Sequence, residues 1–136
     1  MFKPANMPQL SPYFTVKDGH KSIKFYTDAF GFSVVEIAKD DDGNPQHVSM
    51  EKQEAHIMFA PEGSYGSTKK APISLGITMP LSMYIYCEDV DKLYKQAITN
   101  GAISLIEPND SFWGDRFCSV KDIDGYEWWF ATLLKK

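Results

Sequence analysis

Cysteine is scarce in this 136-residue chain: only Cys87 and Cys118 are present. Both fall in strand-like runs, which excludes a disulfide framework and a paired-cysteine zinc motif. Clustered positive charge is also missing. The formal net charge is -4 and the pI is about 5.3. Basic residues are scattered apart from Lys69-Lys70 and Lys135-Lys136, so no nucleic-acid partner is expected. No apolar run approaches the roughly 20 residues of a membrane span. Met1–Asn6 lacks the apolar core of a secretory leader. A reducing cytoplasm and no membrane partner are the expectation. What remains is ordinary globular composition, 43% hydrophobic and 24% charged, in a length suited to one domain.

The informative feature is repetition. Tyr13-Phe14-Thr15-Val16-Lys17-Asp18 introduces a helical stretch that stops at Phe30-Gly31. Tyr84-Ile85-Tyr86-Cys87-Glu88-Asp89 introduces another, stopping at Asn100-Gly101. Likewise His56-Ile57-Met58-Phe59-Ala60 is echoed by Glu127-Trp128-Trp129-Phe130-Ala131. The offset stays near 70 residues, the mark of a duplicated unit. Each copy reads βαβββ. In the first, strands are expected near 10–16, 32–38, 45–51 and 54–60. In the second they fall near 82–87, 103–107, 115–121 and 126–132. Asp18 and Asp89 stand where helix N-caps belong, and Ile23, Tyr26 and Phe30 recur at helical spacing. The expected architecture is α+β: one domain over 1–136, with module 1 at about 8–60, a Gly/Ser/Lys/Pro-rich connection at 61–80 and module 2 at about 81–133. The modules would pair into a curved sheet around a cavity.

Strand alternation sorts the side chains into two faces. Phe14 and Val16 should pack beneath the first helix, leaving Ser11, Tyr13 and Thr15 on the other face. Met83, Ile85 and Cys87 should pack beneath the second, leaving Ser82, Tyr84 and Tyr86. A hairpin turning at Lys52-Gln53 would pair Ser49 with His56 and His47 with Met58, placing all four on one face. Carried through the repeat, Arg116, Cys118, Glu127 and Trp129 join the same set. The expected wall is therefore Tyr13, Tyr84, Tyr86, His47, His56, Arg116, Glu127 and Trp129, with Trp113 either capping the pocket or pinning its own loop. Three tyrosines and a tryptophan amid a few polar groups suit a small-molecule site better than a bare solvated face. Arg116 suits a bidentate anion, or a salt bridge to a nearby acid such as Asp110 or Asp115.

The paired βαβββ units and the closing Asp122-Ile123-Asp124-Gly125 turn resemble the vicinal oxygen chelate superfamily, which includes glyoxalase I, extradiol dioxygenases, and fosfomycin and bleomycin resistance proteins. Ser11–Val16, Phe25-Tyr26, Ala29-Phe30-Gly31, Phe112-Trp113-Gly114-Asp115-Arg116 and Asp122–Trp128 resemble its PhnB-like branch. The resemblance implies the glyoxalase/bleomycin resistance/dioxygenase fold over about residues 8–133. It also implies a divalent metal held from the first and last strands of each module. Here those positions carry Ser11, Met58, Ser82 and Trp129, which do not make a ligand set for such an ion. The expectation is therefore no metal and no cofactor. A displaced ion on His47, His56 and Glu127 is the alternative, since two histidines and a carboxylate suit iron or zinc.

Two functions follow. The chain is an acid/base enzyme of lyase or isomerase type, with His47 or His56 as base or acid and Glu127 as carboxylate partner, binding a small anionic or aromatic molecule. Alternatively it is a non-catalytic, ligand-sequestering protein of the bleomycin resistance type. In that case Tyr13, Tyr84, Tyr86, Trp113 and Trp129 hold the ligand by stacking and cation–π contacts. The resemblance further implies a homodimer.

Overall fold

The structure, a computed structural model, describes residues 1–135; Lys136, half of the terminal basic pair, lies outside the described residues. The chain forms two compact units, residues 1–27 with 31–71, and residues 28–30 with 72 onward.

The first unit holds β1 (Tyr13–Val16), most of α1 (Gly19–Phe30), β2 (Ser33–Lys39), β3 (Pro45–Lys52) and β4 (Ala55–Pro61). Its four-stranded sheet runs β1-β4-β3-β2, with β1 parallel to β4 and the other neighbours antiparallel. The helix begins where the sequence predicts: the Asp18 carboxylate accepts from the Lys21 amide at 3.1 Å. It ends at Gly31, whose φ of 79° is a left-handed conformation that glycine adopts without Cβ strain. Phe14, Tyr26 and Phe59 form the core, with the Tyr26 and Phe59 ring centres 5.5 Å apart.

The second unit repeats the plan. β5 (Ser82–Tyr86), α3 (Val90–Thr99), β6 (Ile103–Asp110), β7 (Asp115–Lys121) and β8 (Glu127–Leu133) give a sheet ordered β5-β8-β7-β6. Asp89 caps α3 through the Lys92 amide at 3.1 Å, as Asp18 caps α1. Trp128 and Phe130 are buried, and Phe30 stands 4.8 Å from Phe130. Cys118 lies on the same face with no exposure, and burial pushes its thiol up to about 12. The stretch expected to be irregular, 61–80, contains a 3-10 turn at Ser64–Gly66 and the short helix α2 (Pro72–Leu75).

The β3–β4 and β7–β8 hairpins differ in their turns, and this difference sets the faces. In the first unit Lys52 pairs with Ala55, so the turn is Gln53-Glu54 rather than the expected Lys52-Gln53. Gln53 takes a positive φ of 52°. Ser49 consequently pairs with Met58, and Glu51 with His56. The shift is two residues, so His47, Ser49, His56 and Met58 keep the common face expected of them. In the second unit Lys121 pairs with Glu127 across a turn at 122–126. There the expected face assignment slips by one residue. Ser119 pairs with Trp129 and Phe117 with Ala131, while Arg116 pairs with Thr132 and Cys118 with Phe130. A one-residue slip inverts every side chain. Asp115, Phe117 and Ser119, rather than Arg116 and Cys118, share the face of Trp129.

Candidate functional site

β5, β8 and β7 carry Tyr84, Trp129 and Ser119 in one cross-strand row, with Tyr86, Ala131 and Phe117 in the next. The aromatic rings along these rows stack. Phe117 and Trp129 are 5.1 Å apart and 10° from parallel, and Trp129 and Tyr84 are 6.2 Å apart at 26°. Trp113, from the β6–β7 connection, lies 5.0 Å from Phe117. Offset stacks of this kind contribute about 0.5–1.5 kcal/mol per pair beyond area burial. Phe117 is buried, whereas Tyr84, Tyr86 and Trp113 are 44%, 60% and 46% exposed. The result is an open aromatic face, not a closed core.

Asp115 anchors this face. It is 3% exposed, and one carboxylate oxygen receives Tyr84 Oη at 2.5 Å, Tyr86 Oη at 2.9 Å and Trp113 Nε1 at 3.2 Å. Trp113 Nε1 also reaches Tyr84 Oη at 3.0 Å. The backbone of Asp115 is held in turn: its amide donates to Ser111 Oγ at 3.1 Å, and Ser111 Oγ donates to its carbonyl at 2.7 Å. The donors hold the Asp115 carboxyl below the ordinary carboxylate range, Tyr84 most of all, with burial opposing. Tyr84 is raised, first by burial and then by its bond to Asp115; Tyr86 is raised chiefly by that carboxylate.

Arg116, expected on the ligand wall, is turned to the opposite face. Its Nε and Nη2 take both Asp91 oxygens at 2.9 and 3.1 Å, and Nη1 takes Asp110 at 3.0 Å. The salt bridge, including the Asp110 partner anticipated for it, is the outcome. Asp91 sits in the first turn of α3, so this fork fastens the helix to β7. The sequence offers Asp115 as a motif residue and as a partner for Arg116, but not as part of the site, and gives Phe117 no role. Counting residues through the turn at 122–126 is the signal that would have found both.

In the first unit, Tyr13 Oη and His47 Nδ1 are 2.9 Å apart, with the rings tilted at 5.5 Å. Burial, then Tyr65, raises the Tyr13 phenol. Ser11 Oγ lies 3.0 Å from His56 Nδ1. His56 is buried, and its Nε2 has no hydrogen-bond partner. It also lines a cavity of about 230 Å3 with Asn6, Met7, Glu51 and Glu54. Glu127 pairs with Ser82 and Lys121 in the second sheet.

The metal positions implied by the resemblance do not fit an ion. Ser11 is engaged by His56, Met58 offers only a thioether, Ser82 an exposed hydroxyl, and Trp129 an indole stacked on Phe117. Among the described residues, no group of three or more His, Cys, Asp or Glu side chains is gathered to hold a metal.

Comparison with known proteins bears on the same architecture. The model of the Glyoxalase/Bleomycin resistance protein/Dioxygenase superfamily matches residues 9–130. An uncharacterized protein of Mycobacterium bovis is 30% identical over 123 residues, covering 89% of this chain and 80% of that one. Among solved structures, TioX from Micromonospora sp. ML1 superposes with a TM-score of 0.73 at 20% identity, over 93% of this chain and 100% of that one. A glyoxalase/bleomycin resistance protein/dioxygenase family enzyme from Burkholderia phytofirmans PsJN gives 0.72 at 18% identity, with the same coverage. At these identities the two structures speak for the fold alone.

Proposed function

Because the chain belongs to the Glyoxalase/Bleomycin resistance protein/Dioxygenase superfamily, we propose that it binds a small, flat aromatic molecule on the open face of its second unit and sequesters it without turnover. The observation that carries this reading is the stacked row Phe117–Trp129–Tyr84, whose neighbours Tyr86 and Trp113 stand exposed. Ring faces left open beside an already ordered stack lose little conformational entropy when a further ring is added. The polar edges of Tyr84, Tyr86 and Trp113 are spent on Asp115, which fixes the rings and leaves their faces for a ligand. The segment behind the PhnB-like resemblance supplies both Trp113 and Asp115, so membership of that branch is part of the proposal.

An acid/base enzyme is the second reading, supported by the Tyr13–His47 pair on the first unit. Its weakness is that Tyr13 is raised rather than lowered, which makes the phenol a poor base near neutrality.

Titration of tryptophan fluorescence with polycyclic aromatic compounds tests the first reading. Trp113→Ala, which removes a ring that is 46% exposed, should weaken binding about tenfold, matching about 1–1.5 kcal/mol for a lost stacking partner. Equal affinity in the variant would remove the aromatic face from consideration. A bound compound that is chemically altered by the wild type, but not by His47→Gln or His56→Gln, would favour the enzyme. A homodimer is proposed as the solution state, and sedimentation velocity checks it.

A further inference from the structure

We propose that the first unit holds a ligand site of its own, a cavity beside the β3–β4 turn that takes the primary ammonium group of a small aliphatic amine. Every residue lining it lies in the first unit, and none belongs to the aromatic face. The cavity has a volume of about 230 Å3 between the turn and the N-terminal segment, with Met7, Pro8, Glu51, Glu54 and His56 on its walls. Sites for drug-sized ligands run to roughly 300–1,000 Å3, so this one has room for a few heavy atoms or the tip of a longer chain.

His56 is the buried end of this site. It is only 7% exposed, with Nδ1 held 3.0 Å from Ser11 Oγ and Nε2 enclosed without a partner. A buried polar atom left unpaired is costly, and a ligand that pairs it recovers that cost. With the ring proton on Nδ1 and donated to Ser11, Nε2 presents a lone pair. Glu51 pairs directly with His56 across β3 and β4, so the two side chains share a face, and Glu54 follows in the turn. Neither carboxylate has a cation beside it among the described residues. Lys3, on the N-terminal segment, spends its ammonium on the Met7 carbonyl at 2.9 Å. Two carboxylates and an imidazole lone pair repel an anion and call for a cation rich in N–H donors. A primary ammonium carries three, directed apart. A metal ion fits less well: among the described residues, no group of three or more His, Cys, Asp or Glu is gathered to hold one. Hydrogen bonds from nitrogen run to about 2.7–3.2 Å, and so join acceptors spaced more widely than metal ligands at roughly 2.0–2.5 Å. Met7 and Pro8 give the alkyl stem an apolar wall.

Three compounds with the same number of heavy atoms test this: butylammonium, tetramethylammonium and 1-butanol. The second keeps the charge without N–H donors, and the third keeps the chain without the charge. Each would be titrated at pH 7.5 into the full chain carrying nitrogen-labelled histidine, with the imidazole nitrogens followed by NMR. Loss of signals in His56→Gln identifies those of His56. Butylammonium should shift His56 Nε2 saturably and bind at least about tenfold tighter than the other two, the difference expected when hydrogen bonds between charged groups are lost. Absence of a saturable shift overturns the proposal. Equal binding of tetramethylammonium overturns recognition through N–H donors, and equal binding of 1-butanol overturns selection by charge. Glu51 and Glu54 are exposed, so the double variant Glu51→Gln, Glu54→Gln keeps the fold within reach whatever happens to His56→Gln. Its affinity for butylammonium should fall at least about tenfold. An unchanged affinity in that variant refutes the assignment to this cavity.

Discussion

Replacing Asp122 by alanine should be among the most damaging single changes in the second unit. Asp122 is 2% exposed. Its Oδ1 accepts the amides of Asp124 and Tyr126, each at 2.9 Å, and its Oδ2 accepts Trp128 Nε1 at 2.9 Å. Asp124, Tyr126 and Trp128 are all buried, so truncation strands three donors away from bulk water. An unsatisfied buried donor costs about 1–3 kcal/mol. Water admitted into the space of the lost carboxylate recovers part of this, leaving an expected loss of about 3–5 kcal/mol. That is a large part of the roughly 5–15 kcal/mol that holds a domain folded. Urea unfolding followed by both tryptophan fluorescence and far-ultraviolet circular dichroism would measure it. With a slope of about 2 kcal/mol/M, the midpoint should fall by about 2 M. Asp122→Asn, which keeps an acceptor for the two amides, should lose less than half as much. A loss under about 1 kcal/mol for Asp122→Ala would show that the turn is not held by this carboxylate. The position of Asp115 on the aromatic face would then need another cause.

Gly125→Ala should destabilise through both backbone and contact. Gly125 has a φ of 95°, and an added Cβ would meet the Ile73 amide nitrogen at 2.9 Å. The left-handed backbone alone costs about 1–2 kcal/mol. Gly43→Ala, with a φ of 82° and open space around the added carbon, isolates that part. Thermal melts should place Gly125→Ala clearly below Gly43→Ala; equal melting points would discount the contact with α2. Acid stability should depend on Asp115 and Asp91, whose carboxyls lie below their ordinary range through bonds from Tyr84 and Arg116 respectively. Groups lowered in the folded state bind fewer protons than in the unfolded chain. The stability they contribute is therefore fully present above the unfolded value near 3.8 and is lost as pH falls below it. Unfolding midpoints measured from pH 6 to pH 2 should decline less steeply in Asp115→Asn than in the wild type. Parallel curves would contradict the assignment.

The duplicated plan was legible because its punctuation is chemical: Asp18 and Asp89 cap helices, and Gly31 and Gly101 end them. Alternation in β1 and β5 correctly separated Tyr13 from Phe14 and Tyr84 from Ile85. It also placed Trp128 in the core opposite Trp129. The site failed at Arg116, and the cause is specific. Face assignment in β7 depends on how many residues the preceding echo and the following turn contain, and 122–126 is longer than Gln53-Glu54. An error of two residues around His56 was harmless, while an error of one around Arg116 exchanged a cation for an anion. Hydrophobic pattern could not correct it, because Phe117 and Cys118 read as equally suited to the core. Glu127, His47 and His56 were placed on their strands correctly, but their chemistry depends on partners such as Ser11 and Tyr13 that no periodicity reveals.

The two thiols give the molecule an internal clock. A thiol is reactive only as thiolate, and Cys118, fully enclosed and pushed up to about 12, offers none in the folded state. Alkylation at Cys118 must wait for β7 to part from its neighbours, so its rate counts how often the strand carrying Asp115 opens. Cys87, half-buried just past the end of β5, serves as the reference that labels without such an event. Under mild alkylation followed by mass spectrometry, the ratio of the two adducts reads local opening of the second sheet in unlabelled, unmutated protein. Any compound that settles on the aromatic face should slow the clock at Cys118 in proportion to its occupancy.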